Sequence, residues 1–191
     1  VSGAGAAATA DELRLFVAID LPADVQRRLL RLVPAASGVR PVAAGQVHLT
    51  LHFLGGVAAA AVEPLAAALA GVAWRGFPLE LGGGGRFPPR GPVSVLWVGV
   101  RESPGLRELH AAIGSALERL GHAVETRPFT PHVTLARVQR HAGRAAGTDF
   151  LRAADELEPL GVEVDRFHLY RSDRGPVGQV HAVVRSFAAG A

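Results

Sequence analysis

The chain of 191 residues has no cysteine. Disulfides, thiolate nucleophiles and cysteine-ligated zinc are therefore excluded, and thiol chemistry says nothing about compartment. Lysine is missing too: all 20 Lys+Arg positions are arginine. That removes the P-loop lysine, Schiff bases and lysyl-nucleotide intermediates, and with them pyridoxal enzymes and the familiar ATP-dependent ligases. No apolar run approaches membrane-spanning length, so no membrane partner is expected. The opening Val1 to Ala10 lacks the basic start and leucine-rich middle of a secretory signal. It is expected to belong to a disordered Ala-rich tail over residues 1–11, ahead of one bilobal domain over residues 12–188.

What is present suits a globular protein: 49% of residues are hydrophobic and 19% charged. The net charge of +3 favours anionic partners, with nucleic acid or nucleotides the natural candidates. The exclusive use of arginine also fits a GC-rich coding sequence, which leaves the placement of the arginines unexplained. Arg27, Arg28 and Arg31 read as a solvated helix face. Arg140 and Arg144 follow the second motif described below, where steering of RNA and plain solubility are both open.

Patterning divides the chain into alternating elements. Leu13 to Asp20 reads as a buried strand, and Pro22 and Asp24 open a helix. Val47 to Leu54 alternates strictly, with Leu49, Leu51 and Phe53 on one face and His48, Thr50 and His52 on the other. Ala58 to Ala70 reads as a helix, Phe77 to Leu81 as a short strand, and the Gly/Pro-dense Gly82 to Pro92 as a loop. Val93 to Val100 is a second strand. Pro104 to Leu120 is a helix with Leu106, Leu109, Ile113, Leu117 and Leu120 on one stripe. Next come a strand carrying His132 and Thr134, a loop from Gln139 to Thr148, and a short helix from Asp149. Two strands, Val162 to Tyr170 and Gln179 to Phe187, close the chain around a turn at Ser172 to Gly178.

Within this order lies a repeat: strand, helix, strand with His-x-Thr occurs twice. His48 and His132 are 84 residues apart (132 − 48), at similar distances from their opening strands, 35 (48 − 13) and 39 (132 − 93) residues. The expected fold is α+β, bilobal and pseudo-two-fold, with two antiparallel-rich sheets lining a central cleft and helices outside. If the lobes face one another, both His-x-Thr faces line that cleft. Two imidazoles with ordinary pKa values near 6.5 can act as base and acid together. Threonine hydroxyls and arginine can hold phosphate oxygens. Such a set suits in-line attack on a phosphodiester, and a strained 2′,3′-cyclic phosphate lowers the demand for a metal. One His-x-Thr alone reads as a satisfied structural histidine; two copies in matched contexts reverse that preference.

Four segments carry a resemblance to a known family: RLFVAIDLP near the start, HLTLHFLG from His48, RFPPRGPVSVLWVGV in the middle and FTPHVTLAR from Phe129. They are similar to the 2H phosphoesterase superfamily, specifically the RNA 2′,3′-cyclic phosphodiesterases once called 2′-5′ RNA ligases. The resemblance implies that His48 and His132 are catalytic and that Thr50 and Thr134 hold the phosphate, with Arg137 as a further anion contact. It implies His48 as acid for the O3′ leaving group and His132 as base for water, leaving a 2′-phosphate. The pleat alone sends Arg137 to the far face, so this role requires a bend or strand end there. Phe87 lies where relatives have an aromatic able to stack on the terminal base; a loop anchor beside Pro88 and Pro89 is the other reading. His52 departs from the family, where arginine or lysine is common, and on the pleat it shares the cleft face.

The partner implied is an RNA end with a 2′,3′-cyclic phosphate, or a cyclic nucleotide, acted on by a cytoplasmic monomer. His48 and His52 have the spacing of a helical metal pair, but the segment reads as a strand and no nearby carboxylate completes a set, so no metal or other cofactor is expected. His110 reads as a packed helix residue; His122, His141, His168 and His181 have no matching partners. The alternatives to hydrolysis are 2′-5′ joining of RNA at the same site and non-catalytic binding of RNA ends or nucleotides.

Overall fold

Leu15, Val17 and Ile19 of β1 (Glu12–Asp20) are buried on one face of the strand, and Phe16 and Ala18 are buried on the other. Burial on both faces is why this run lacks polar alternation. Pro22 precedes α1 (Ala23–Leu30), which buries Val25 and Leu29. A three-residue strand, β2 (Val39–Pro41), comes before β3 (His48–Ala58), which returns antiparallel to β1. α2 (Val62–Ala70) and β4 (Phe77–Phe87) follow. The second unit repeats the order with β5 (Val95–Val100), α3 (Pro104–Arg119) and β6 (His132–Val138). Ser103 caps α3 by accepting the Leu106 N–H at 3.3 Å, and the expected apolar stripe is buried except for Leu120, which lies past the helix end. α4 (Gly143–Asp155), β7 (Leu160–Val164), β8 (Arg166–Gly175) and β9 (Gly178–Ala188) complete the fold.

This computed structural model describes residues 12–175 and 178–190. The tail expected over residues 1–11 lies outside the described residues, as do positions 176–177 of the expected Ser172 to Gly178 turn. No described helix is long and apolar enough to cross a membrane.

The strands run in the order β7-β4-β5-β6-β3-β1-β8-β9, with β2 on the remaining length of β6. Read outward from the middle, β6 matches β3, β5 matches β1, β4 matches β8 and β7 matches β9, so the duplication legible in the sequence is also the symmetry of the sheet. The two expected sheets are halves of one, joined where β3 meets β6 at the Leu49–Val133 pair. Each unit lends a strand to the other: β4 follows α2 but pairs with β5, and β8 comes after α4 but pairs with β1. One large core unites the helices with Leu49, Val133 and Leu135, whereas Phe16, Ala18 and Tyr170 form a separate cluster on the opposite face.

Three expectations are corrected. The glycine run is not a loop: β4 passes through it, with Gly83 at φ +72° beside a bulge between Leu81 and Gly84. Gly85 lies under the Trp97 indole, where a Cβ would come within 2.0 Å of the ring, so the glycine marks close approach rather than a break. Val162 to Tyr170 is not one strand. The chain changes lobe at Asp165, since β7 pairs with β4 and β8 with β1. A single residue can join strands so far apart in the order only if the sheet curls until its ends meet; the Ala189 N–H donating to the Asp165 carbonyl at 2.8 Å helps close that junction. Finally, α4 begins at Gly143, inside the stretch expected as loop.

Replacing Gly85 with alanine is expected to destabilise the protein by about 1–3 kcal/mol through overpacking. Denaturant unfolding monitored by tryptophan fluorescence checks this, with a change in native-state emission as the indole is displaced.

Candidate active site

Leu49 and Val133 are both fully buried and directly paired across antiparallel strands. That register sets His48 opposite Thr134 and Thr50 opposite His132, all four on the face away from the helices. The two histidines are thus diagonal neighbours across the seam, and in a regular antiparallel pair such neighbours are about 7–8 Å apart. Rings at that spacing can converge on one phosphate from two sides.

Beyond each threonine the strand bulges. Opposite β1, Ala18 pairs with Thr50 and Val17 with His52, leaving Leu51 as the extra residue. In the other lobe, Trp97 pairs with Thr134 and Leu96 with Ala136, leaving Leu135 as the extra residue. One added residue reverses the alternation downstream. In β6 this brings Arg137 back to the face of His132, supplying the bend that the pleat alone lacks. In β3 it overturns the expected faces of His52 and Phe53. His52 is only 5% exposed, buried against α3, where its Nε2–H donates to the His110 carbonyl at 2.9 Å and its ring stacks on His110. His110 in turn stacks on Phe129, in the segment that leads into β6. Phe53, expected on the face of Leu49 and Leu51, is 76% exposed on the cleft face, its ring centroid 6.1 Å from that of Phe16. His48 and His52 therefore point to opposite faces and cannot share a metal ion.

Each histidine rests on aromatic rings. His48 stacks on Phe16 at 5.0 Å, and Phe16 stacks on Tyr170 at 5.1 Å. His132 meets the edge of Phe87 at 5.0 Å and lies 5.7 Å from Trp97, so Phe87 faces the site from the end of β4. The His132 Nδ1–H donates to the Thr130 carbonyl at 2.8 Å, a tautomer that leaves Nε2 free for chemistry. His48 makes the corresponding bond to the backbone of Gln46, two residues before it. Burial nonetheless pushes the His48 imidazole down to about 4, helped by repulsion from His181 and only partly opposed by the Gln46 bond and the Asp20 carboxylate. Asp20 lies opposite His48 in the β1–β3 register and accepts a hydrogen bond from the Tyr170 hydroxyl.

This geometry can be set beside known proteins. A family model for the 2′-5′ RNA ligase superfamily matches residues 13–176. The chain belongs to the 2′-5′ RNA ligase superfamily. The RNA 2′,3′-cyclic phosphodiesterase of Archaeoglobus fulgidus is 30% identical over 178 residues, covering 92% of this chain and 99% of the relative. The RNA 2′,3′-cyclic phosphodiesterase of Escherichia coli is 39% identical over 129 residues, covering 65% of this chain and 71% of the relative. Among solved structures, E. coli LigT complexed with 3′-AMP matches with a TM-score of 0.76 at 30% identity, covering 94% of this chain and 99% of LigT.

In this member of the superfamily, two residues join the cleft that sequence reasoning passed over. His181, on β9, meets His48 edge-on at 5.2 Å and Phe16 at 4.9 Å, and its Nδ1 is buried without a hydrogen-bond partner among the described residues. Its signal is invisible along the chain because β9 reaches the cleft only by folding back on β8. Arg40, on β2, sits directly opposite Arg137. Like charges in that position are mutually unfavourable unless an anion lies between them, and no ion pair engages either among the described residues. A strand of three residues is too short to declare its face by pattern. Arg140 is exposed beyond β6, and the Arg144 side chain lies outside what is described.

The depressed histidines make the fold acid-sensitive. Burial lowers His48 and His110 to about 4, and lowers His52 as well. The unfolded chain, with ordinary imidazoles, takes up protons first, so stability is full above about pH 6.5 and is lost as pH falls toward 4. His48 alone contributes on the order of 3 kcal/mol to that loss. Thermal unfolding across this range is expected to show a falling Tm, and His52→Gln is expected to weaken the dependence.

Proposed function

We propose that the protein hydrolyses the terminal 2′,3′-cyclic phosphate of RNA to a 2′-phosphomonoester, with no metal ion in the reaction. The observation that carries this reading is the seam register, which supports a phosphate site shared by His48, Thr50, His132 and Thr134. Membership of the superfamily agrees with it, as do relatives named for the activity and LigT structures that hold 3′-AMP or phosphate.

Thr50, Thr134 and Arg137 hold the non-bridging oxygens, and the terminal base stacks on Phe87. Nε2 of His132 takes a proton from water as the water oxygen bonds to phosphorus. The P–O3′ bond breaks in line, and His48 delivers its proton to O3′. The bond made and the bond broken both involve phosphorus, the strained ring opens, and the phosphate is left on O2′. Because burial holds His48 neutral in the free cleft near pH 7, its role as acid requires a proton gained with the substrate. An anionic phosphate against the ring offsets the cost of charging it.

A chelated assay on a short RNA with a 2′,3′-cyclic phosphate end is expected to show full turnover and a 2′-phosphate product. His48→Ala and His132→Ala are each expected to lose about 10²–10⁴ in kcat/KM. Full turnover in either variant, or loss of activity to the chelator, overturns the mechanism. Replacement of the leaving atom separates the two histidine roles. A cyclic substrate with sulfur in place of O3′, whose thiolate departs without a proton, is expected to restore most of the turnover of His48→Ala and none of that of His132→Ala; rescue of His132→Ala instead makes His48 the base.

A further inference from the structure

The second lobe carries a groove of about 610 Å³ that the cleft chemistry does not use. Two guanidiniums line it, Arg86 and Arg140, together with the apolar surfaces of Pro92, Val93 and Leu151. Among the described residues its lining holds no carboxylate and no aromatic ring. Arg86 gives one donor to the Pro89 carbonyl at 3.0 Å, and Arg140 has no hydrogen bond or ion pair among the described residues. Nothing here grips a base plane or an amine. Guanidiniums suit phosphate, and the aliphatic surface suits a sugar, so the chemistry offered is that of a nucleic-acid backbone.

The groove adjoins the cleft across one rim. Arg86 and Phe87 are consecutive on β4, and a strand sends consecutive side chains to opposite faces. Phe87 faces the cleft, its ring 5.0 Å from that of His132. Gly84 faces α4, where a Cβ would come within 2.6 Å of Ala154, so Arg86, two residues on, lies on the α4 side. The end of β6 belongs to the same rim: Arg137 pairs with Val95, the partner of Phe87, and Arg140 follows three residues later.

Charge distinguishes this end of the molecule from the rest. Segments 34–47, 82–100 and 128–148 build β2, the second half of β4, β5, β6 and the start of α4. They contain six arginines and neither Asp nor Glu, whereas the remaining chain carries 14 arginines against 17 acids. A charge of +6 therefore stands on the lobe of His132 and −3 on the remainder. A polyanion with one end in the cleft is drawn toward the first and repelled by the second. We infer that the groove between α4 and the Gly91–Val93 stretch binds the RNA backbone upstream of the reacting end, with phosphates on Arg86 and Arg140. The inference rests on the phosphodiesterase reading and deepens it, giving the substrate a second, sequence-independent hold outside the cleft.

Fluorescence anisotropy across a range of NaCl concentrations tests it on the intact protein, with 5′-labelled oligoadenylates of two and eight nucleotides, each ending in a 2′-phosphate. The octamer is expected to bind about tenfold more tightly at low salt, with a salt slope steeper by about 1.4 for two added phosphate contacts. Arg86→Gln/Arg140→Gln is expected to remove both differences. Arg140→Gln alone is expected to remove about half of the slope difference while sparing the Arg86 bond to Pro89, which keeps the test readable if the double variant folds poorly. Arg31→Gln, the same charge change on α1's neighbouring turn, is expected to leave both in place. Equal binding of the two lengths, a gain that survives in the double variant, or an equal loss in Arg31→Gln overturns the proposal. Displacement of the octamer by oligoglutamate as readily as by unlabelled octamer assigns the surface to an acidic protein and overturns it. Equally ready displacement by inorganic pyrophosphate assigns the groove to a free polyphosphate and overturns it too. Hydrolysis of 2′,3′-cyclic AMP, which has no phosphate beyond the reacting one, is expected to be unchanged in these variants. Its absence in the wild type counts against the phosphodiesterase reading alone, so the two failures are distinguishable.

Discussion

The pairing of Leu49 with Val133 is the constraint on which the cleft depends. Both side chains are fully buried in the helix-side core, so neither strand can slip by one residue without moving its apolar set into water. A slip by two would keep the apolar faces inward but change which polar residues stand opposite each other. The observed pair sets each histidine opposite the other motif's threonine, with both imidazoles on the face away from that core. Precision at the seam therefore comes from apolar packing on the reverse of the sheet, a rigid support for polar groups that have few contacts of their own.

The symmetry of the frame makes the differences between the lobes informative. Asp20 stands opposite His48 where Gly99 stands opposite His132. Ala18 beside Thr50 is matched by Trp97 beside Thr134, and their outer neighbours are exchanged in size, His168 next to Ala18 and Gly85 next to Trp97. Tyr170 answers to Phe87. Bulk has moved from one strand to its neighbour while the total filling of each lobe is kept, as close packing demands. What changes is the chemistry shown to the cleft: a carboxylate and its phenol partner on one side, an indole and a second guanidinium on the other. A duplicated scaffold has thus become a site with two unlike ends, which suits an asymmetric ligand.

The repeat, the long helix and the shared face of His48 with Thr50 and of His132 with Thr134 were legible because each is a local period, two for a strand and 3.6 for a helix. The bulges were not. HLTLHF alternates perfectly, and the residue that breaks the alternation, Leu51, is as apolar as its neighbours; only the pairing with β1 reveals it as extra. The same blindness put His52 on the cleft face and Phe53 on the face of Leu49 and Leu51, and made Arg137 look misplaced. The glycine run deceived for a different reason: Gly85 answers to the Trp97 ring on another strand, a contact that no window along the chain contains. His181 and Arg40 reach the site through a hairpin return and a three-residue strand. In both cases the information lies between strands rather than along one.

Enclosure, more than paired charge, sets the electrostatics around His48. Asp20 is positioned to support a cationic His48, but its carboxylate also accepts the Tyr170 hydroxyl. Burial and the neighbouring His181 outweigh the attraction that remains. Among the described residues, the guanidiniums at the rim, Arg137 with Arg40 opposite it, engage in no ion pair and can draw an anion in while burial keeps His48 neutral. In the proposed reaction, an arriving phosphate adds negative charge next to the ring whose protonation burial suppresses. On the proposed reading, acid strength at His48 is a property of the complex rather than of the protein alone, and a neutral ligand of the same shape would leave the acid unformed.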